Sequence, residues 1–236
     1  MAGGDGATVV TPSARGQQRP PARRVADGAV HFWVTEHNAA VTAATDLARA
    51  DTRARVEQAA LDLFTLRGFD PVTIDDVAAA SGISRRTFFR YFATKADAVW
   101  GDFDAHVAQL ECLLAATDPA QSVLASVCGA YVEVNDYADA DLPLLRERMQ
   151  LILTEPALLA HSQLRYAAVD RVVAEHVARR TGSSPTDLVP RLVAASTRAA
   201  ATTAFELWLA DGKIPLGQRL REAFTQLTDG FPALAP

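Results

Sequence analysis

Apolar residues recur at three- and four-residue spacing along most of the 236-residue chain, and no segment alternates with period two. That pattern predicts an all-α protein. Residues 28–50 place Val30, Trp33, Val34, His37, Val41, Ala44 and Leu47 on one helical face, with Thr35, Glu36, Asn38 and Asp46 between them. This is an amphipathic helix. It packs on its own subunit, crosses to a partner, or covers the mouth of a pocket. Thr52 is expected to cap the next helix, whose core face is Val56, Ala60, Leu63 and Phe64 and whose end is Gly68. Further helices are expected from Lys95 to about Leu114, from Asp118 to about Tyr137, over Leu142–Leu153, and over 156–180. Two more run from near Thr186 to Ala210 and from Pro215 to about Leu227.

Between Gly68 and Lys95 the pattern changes scale. Thr73 and Asp76 have the spacing of a capping box, followed by Ile74, Val77 and Ala78 on one face. Gly82 suits a tight turn. Ser84 then caps a second short helix that begins Arg85, Arg86, Thr87. Phe88 and Phe92 lie four apart and form the apolar side. Two short helices around a glycine turn, the second basic at its start, define a helix-turn-helix. First-turn residues of its second helix reach base edges in the major groove. Arg pairs bidentately with guanine, and a Thr methyl meets that of thymine. Ser84 also faces a phosphate in that geometry. Thr94 and Asp97 repeat the capping-box spacing, which puts Lys95 at a helix start that holds phosphate. The other reading of such a hairpin is a surface element with no nucleic-acid partner.

This stretch resembles the amino-terminal domain of TetR-type regulators, which carry Thr-x-x-x-[Ile/Val]-Ala, a glycine turn, then Thr-[aromatic/Leu]-aromatic-x-[Tyr/His]-Phe-x-x-Lys. The resemblance covers about residues 52–100. It implies an all-helical homodimer whose divergent second domain binds a small molecule. By position it makes Thr73, Thr87, Tyr91 and Lys95 DNA contacts. The candidate DNA set is Thr73, Ser84, Arg85, Arg86, Thr87, Phe89, Arg90, Tyr91 and Lys95. Phe89 departs from the family, which often has Tyr there. Its backbone contact is lost or passes to Arg85, Arg86 or Arg90. The stretches 86–92, 99–103 and 146–166 are also similar to TetR-type regulators of mycofactocin gene clusters in actinobacteria. That similarity implies control of redox-cofactor metabolism and an apolar effector, acyl-CoA-like among the options.

The helix near 191–210 is rich in small residues and apolar almost all round, so every side needs cover. With the last helix it forms half of a two-fold four-helix interface. The resemblance places dimerisation there too. Ala195, Ala199, Thr203, Trp208, Leu220 and Phe224 are the expected contacts, against the alternative of burial within one subunit. The preceding helices are expected to enclose a cavity. Its candidate lining is Trp100, Phe103, His106, Leu110, Tyr131, Arg148, Met149, Leu153, Arg165 and Tyr166, mostly apolar with polar tips. Cys128, Val132 and Leu164 are further candidates. For each of them plain core packing is the competing role. Arg146, Arg148 and Arg165 would hold the phosphates of a CoA group, or else be solvated or paired with Glu147 and Asp170.

Composition narrows the function class. Apolar residues make up 49% of the chain, enough for buried cores, yet no run is long enough to span a membrane. The start lacks a secretory signal, so a cytoplasmic protein is expected. Residues 1–27 read as a disordered basic tail, with Arg15, Arg19, Arg23 and Arg24. That tail is a solvated segment or a minor-groove arm. Residues 51–98 are the DNA-binding domain and 99–236 the ligand-binding and dimerisation domain. Residues 51–100 hold seven basic and seven acidic residues, whereas 101–236 hold 11 and 17. The acidic second domain repels DNA and confines docking to the helix-turn-helix. Cys112 and Cys128 are expected as buried reduced thiols, with no metal cluster and no cofactor. No nucleophile motif or phosphate loop points to an enzyme. The expected function is a ligand-responsive repressor that binds a near-palindromic duplex operator as a homodimer. The rival is a helical ligand-carrying or protein-interaction module that reads no DNA.

Overall fold

The structure is a computed structural model that describes residues 48–232; residues from 49 onward form one compact unit. The basic tail and nearly all of the 28–50 helix lie outside the described residues. Those described are helical or in turns and short loops. Helix α1 covers residues 48–67, α2 is Ile74–Ala80, α3 Arg85–Tyr91, α4 Asp97–Trp100 and α5 Phe103–Ala115. Then follow α6 Val123–Val134, α7 Leu142–Thr154, α8 Pro156–Thr181, α9 Leu188–Ala210 and α10 Leu216–Thr228.

Two corrections concern helix ends. Thr52 does not start α1, because residues 48–51 are already helical. Nothing in Ala48-Arg49-Ala50-Asp51 breaks a helix. The periodicity from Lys95 to Leu114 is two helices rather than one. Gly101 interrupts it at φ 62°, ψ −146°, and Asp102 caps α5 by accepting from the Ala105 amide at 3.3 Å. Similarly, 118–121 is a turn, and Ser122 is the cap of α6.

Two apolar cores follow the chain. The first gathers Val56, Leu61, Phe64, Val77, Phe88 and Phe92 from α1 to α3 and the loop after it. It also takes in Trp100, Leu151, Ile152 and Leu158, so α7 and the start of α8 seal the helix-turn-helix unit from behind. Burying each large side chain contributes about 1.5–3 kcal/mol. The second core joins α5, α6, α8, α9 and α10. On α10, Leu216, Leu220 and Phe224 recur every fourth residue and are all buried, with the Phe224 ring 5.6 Å from that of Tyr131.

Cys128 is buried, and burial pushes its thiol up to about 11, but Cys112 is exposed, contrary to expectation. It sits on the outer side of α5, where Leu110 and Leu114 take the core positions.

Two histidines are shifted toward the neutral form. Burial lowers the pKa of His106; burial, then Arg179 and Arg180, lower that of His176, whose Nε2 is 3.2 Å from Ser126 Oγ. A depressed histidine leaves full stability above the unfolded pKa of about 6.5 and loses it progressively as pH falls from there to the folded value. Thermal melting between about pH 7.5 and 5.5 is therefore expected to show a falling Tm on acidification. His176→Gln, which keeps a hydrogen-bonding side chain without the charge, is expected to flatten that slope.

Candidate nucleic-acid interface and internal cavity

The helix-turn-helix is assembled by local bonds. Thr73 caps α2: its hydroxyl accepts from the Asp76 amide at 3.2 Å, while the Thr73 amide donates to Asp76 Oδ2 at 2.8 Å. The Thr73 hydroxyl also donates to Asp76 Oδ2, and that bond, then the one from the Thr73 amide, holds the Asp76 carboxyl below the usual range. The turn closes through Gly82 at φ 70°, where the Ile83 amide donates to Ala78 O at 2.9 Å. A side chain would be strained at that φ. Ser84 caps α3 by accepting from the Thr87 amide at 3.1 Å. Phe88 is fully buried and packs on Phe92 with centroids 5.4 Å apart. That anchorage turns the opposite side of α3 outward.

Thr73, Ser84, Arg85, Arg86, Phe89 and Arg90 are exposed, and Thr87 and Tyr91 are half-buried. Arg85 reaches back to Asp75 at 2.9 Å and lies over the Phe89 ring. Both charged groups are more than half exposed, so the pair contributes little and yields readily to a phosphate. Arg90 donates to the Tyr91 hydroxyl at 3.0 Å and holds its pKa below the usual phenol value. Arg86 has no ion-pair partner among the described residues. Lys95 is placed differently from expectation. Its ammonium donates to the carbonyls of Phe69, Asp70 and Val72 at 2.7, 3.1 and 3.0 Å. All three N–H groups are engaged, so Lys95 fastens the loop after α1 instead of offering its charge to phosphate.

A cavity of about 500 Å³ lies among α5, α6, α7, α8 and α9. Trp100, Phe103, His106, Leu110, Tyr131, Arg148, Met149 and Tyr166 line it as expected. Trp100 meets Phe103 and Tyr166 edge-on at 5.0 and 5.5 Å. Burial raises the phenol of Tyr166 to about 12, so it stays a neutral hydrogen-bonding group. Leu153 and Arg165 are not part of the wall. Leu153 packs beside both cores, and Arg165 is bound to Asp97 and, at 3.3 Å, to Asp104. Burial would raise the Asp97 carboxyl, but hydrogen bonds from Arg165 and Thr94 outweigh it and hold it low. Cys128, Val132 and Leu164 also lie outside the wall, Leu164 being exposed.

The wall contains residues not anticipated: Glu57 from α1, Asn135 from the end of α6, and Arg198, Thr202 and Phe205 from α9. The spacing of Arg198, Thr202 and Phe205 along one flank was the available signal. The arginines expected to bind phosphate are engaged within the protein. Arg146 donates to Trp208 O and Leu209 O at the end of α9 and lies 4.2 Å from the Trp208 ring centroid. Arg148 pairs with Glu57 at 3.0 Å, and Glu57 also takes Arg53 at 2.9 Å. Asp170 pairs with Arg198 at 2.8 Å.

On α9, Ala195, Ala199 and Thr203 are exposed along the same side as Leu188, Leu192 and Leu207. Trp208, Leu220 and Phe224, expected on the two-fold surface, are instead in the core of the protomer. Packing of α10 and α6 against α9 claims that side, so only one apolar face of α9 remains outside.

A basic, outward-facing helix-turn-helix joined to a helical domain with an internal cavity defines a DNA-binding transcriptional regulator. The chain belongs to the TetR family of bacterial regulatory proteins. The model for that family's amino-terminal domain matches residues 58–98, and the MftR C-terminal domain matches 121–232. The chain is 38% identical over 186 residues to a Mycobacterium tuberculosis (strain ATCC 25618 / H37Rv) protein named as the mycofactocin biosynthesis transcriptional regulator MftR. The match covers 79% of this chain and 94% of that protein. Among solved structures, a TetR-family regulator from Syntrophomonas wolfei aligns with a TM-score of 0.57 at 17% identity, over 78% of this chain and 98% of that one. Thermus thermophilus FadR, a TetR-family repressor in complex with lauroyl-CoA, aligns with a TM-score of 0.50 at 21% identity over the same shares. These two show the fold. Among the described residues no helix is long and apolar enough to cross a membrane.

Proposed function

We propose that this protein is a homodimeric repressor of redox-cofactor genes of the mycofactocin type. It binds a near-palindromic operator and is released by an apolar effector with an acyl chain. The observation that carries the DNA-reading part is the contrast within α3. Phe88 is fully buried, while Arg86 beside it is exposed and unpaired among the described residues. A base-reading side chain stands free at the first turn of a helix whose other face is fixed. Two copies related by a two-fold axis would present two such helices to successive major grooves. The exposed apolar side of α9 supports that pairing.

Selection from random duplexes is expected to enrich a near-palindromic motif; a pool with no enriched motif would overturn the reading. On the selected duplex, Arg86→Ala is expected to cost about 1–3 kcal/mol, roughly five- to hundredfold in affinity, and to blur preference at one position in each half-site. Unchanged binding in a gel-shift titration would remove Arg86 from that role.

The effector part rests on the aromatic-lined cavity, which suits a hydrocarbon chain. The fold likeness to FadR bound to lauroyl-CoA supports the same class. Arg146, Arg148 and Arg165 are bound within the protein, so the phosphates of a CoA group would be held by other groups. Lauroyl-CoA is expected to release the protein from its selected duplex. A ligand does this only through unequal affinity for the bound and released forms. The link to mycofactocin rests on the 38% identical relative. Deleting the gene is expected to raise transcripts of such a cluster, and no change in them would remove the assignment.

A further inference from the structure

One part of the cavity wall carries buried hydrogen-bond donors without partners. Glu57 is the acceptor there, and both of its oxygens are taken: Oε1 by Arg53 Nε at 2.9 Å and Oε2 by Arg148 Nη2 at 3.0 Å. Arg148 spends one N–H on that bond, and its Nε is buried with no partner. Trp100 is 4% exposed, lines the same cavity, and its indole Nε1 is also buried without a partner. The two residues belong to one neighbourhood. Gly101 follows Trp100, and the Arg148 guanidinium lies against it, with Cζ 2.7 Å from where a Cβ would stand. Two arginines share the Glu57 carboxylate, and Asp102 and Asp141 also line the cavity. A buried donor left unpaired costs about 1–3 kcal/mol, which a ligand acceptor recovers.

We infer that this part of the wall is an oxygen-acceptor subsite, built to take the carbonyl or carboxylate oxygen of an otherwise apolar ligand on Trp100 and Arg148. The rest of the wall is aromatic and aliphatic and takes the chain. The inference rests on the effector reading above and adds to it the polarity of the ligand's head. It also gives the subsite a consequence. An oxygen placed on Arg148 competes with Glu57, a residue of α1 in the DNA-binding part.

Isothermal titration calorimetry on the full chain with three ligands of one chain length tests this. Dodecanoate carries an anionic acceptor, lauroyl-CoA a thioester carbonyl, and dodecylammonium donors only. At least one of the first two is expected to bind about tenfold or more tighter than dodecylammonium. Which of them does so identifies carboxylate or thioester as the natural head. Trp100→Phe keeps an aromatic ring and removes the N–H; it is expected to weaken the tighter acceptor ligand about tenfold and dodecylammonium hardly at all. Equal binding of all three, or equal losses in Trp100→Phe, overturns the subsite and leaves the cavity as an effector site. Should Trp100→Phe not fold, the ranking of the three heads on the unmodified protein decides. Failure of all three to bind overturns both readings.

Discussion

Replacing Ala199 with arginine is expected to convert the proposed dimer into a folded monomer and to lower operator affinity by about a hundredfold or more. Ala199 is on the exposed side of α9, midway along a line through Leu192, Ala195, Thr203 and Leu207. Small residues at successive turns let a second helix approach closely. An arginine there fills that space and would bring two like charges together at the two-fold axis. The protomer core is untouched, because α9 buries Ala194, Thr197, Ala201, Ala204, Phe205 and Trp208 on its other side. The loss on DNA comes from avidity, since a monomer holds one half-site and the dimer two. Light scattering after gel filtration would show the change in mass, and circular dichroism an unchanged helical signal. A variant that stays dimeric would move the interface off this face.

Gly101→Ala is expected to lower stability by about 3–5 kcal/mol, enough to reduce Tm by roughly 10 °C in a chain of this size. Two effects act together. Gly101 sits at φ 62°, ψ −146°, a region side chains scarcely enter. An added Cβ would also stand 2.7 Å from Arg148 Cζ. To clear it, Arg148 must give up its bond to Glu57, which leaves that largely buried carboxylate with Arg53 alone. Arg53 donates to Gly101 O at 2.7 Å, so the bend between α4 and α5 is held from α1 as well. Adding Arg148→Ala removes the collision but not the backbone strain. The double variant is therefore expected to be more stable than the sum of the two single losses. A Gly101→Ala protein melting within about 2 °C of the parent would show that the bend relaxes at no cost.

The helix-turn-helix was legible because its signals are local. The Thr73–Asp76 box, Gly82, the Ser84 cap and the Phe88–Phe92 spacing each act within a few residues, where helix geometry leaves little choice. The aromatic share of the cavity wall was legible from helical spacing. The pairing of the arginines was not. Arg148 meets Glu57 across 91 residues of chain, and Arg165 meets Asp97 across 68. A long flexible side chain reaches several candidates, and only the packing of helices decides among them. Lys95 shows the same: its family position suggested phosphate, while the loop carbonyls of Phe69, Asp70 and Val72 surround it.

Taken alone, then, the chain determined most of its helix spans beyond residue 51 and its helix-turn-helix, since these depend on period, caps and turn residues close in sequence, and its motif residues carried the resemblance to the TetR family. The tertiary structure decided which side of α9 is outside, where Gly101 bends the chain, and which charges remain free. Each of those depends on elements far apart in sequence competing for the same surface. The outcome is set by which contact removes more apolar area from water or satisfies more buried polar atoms.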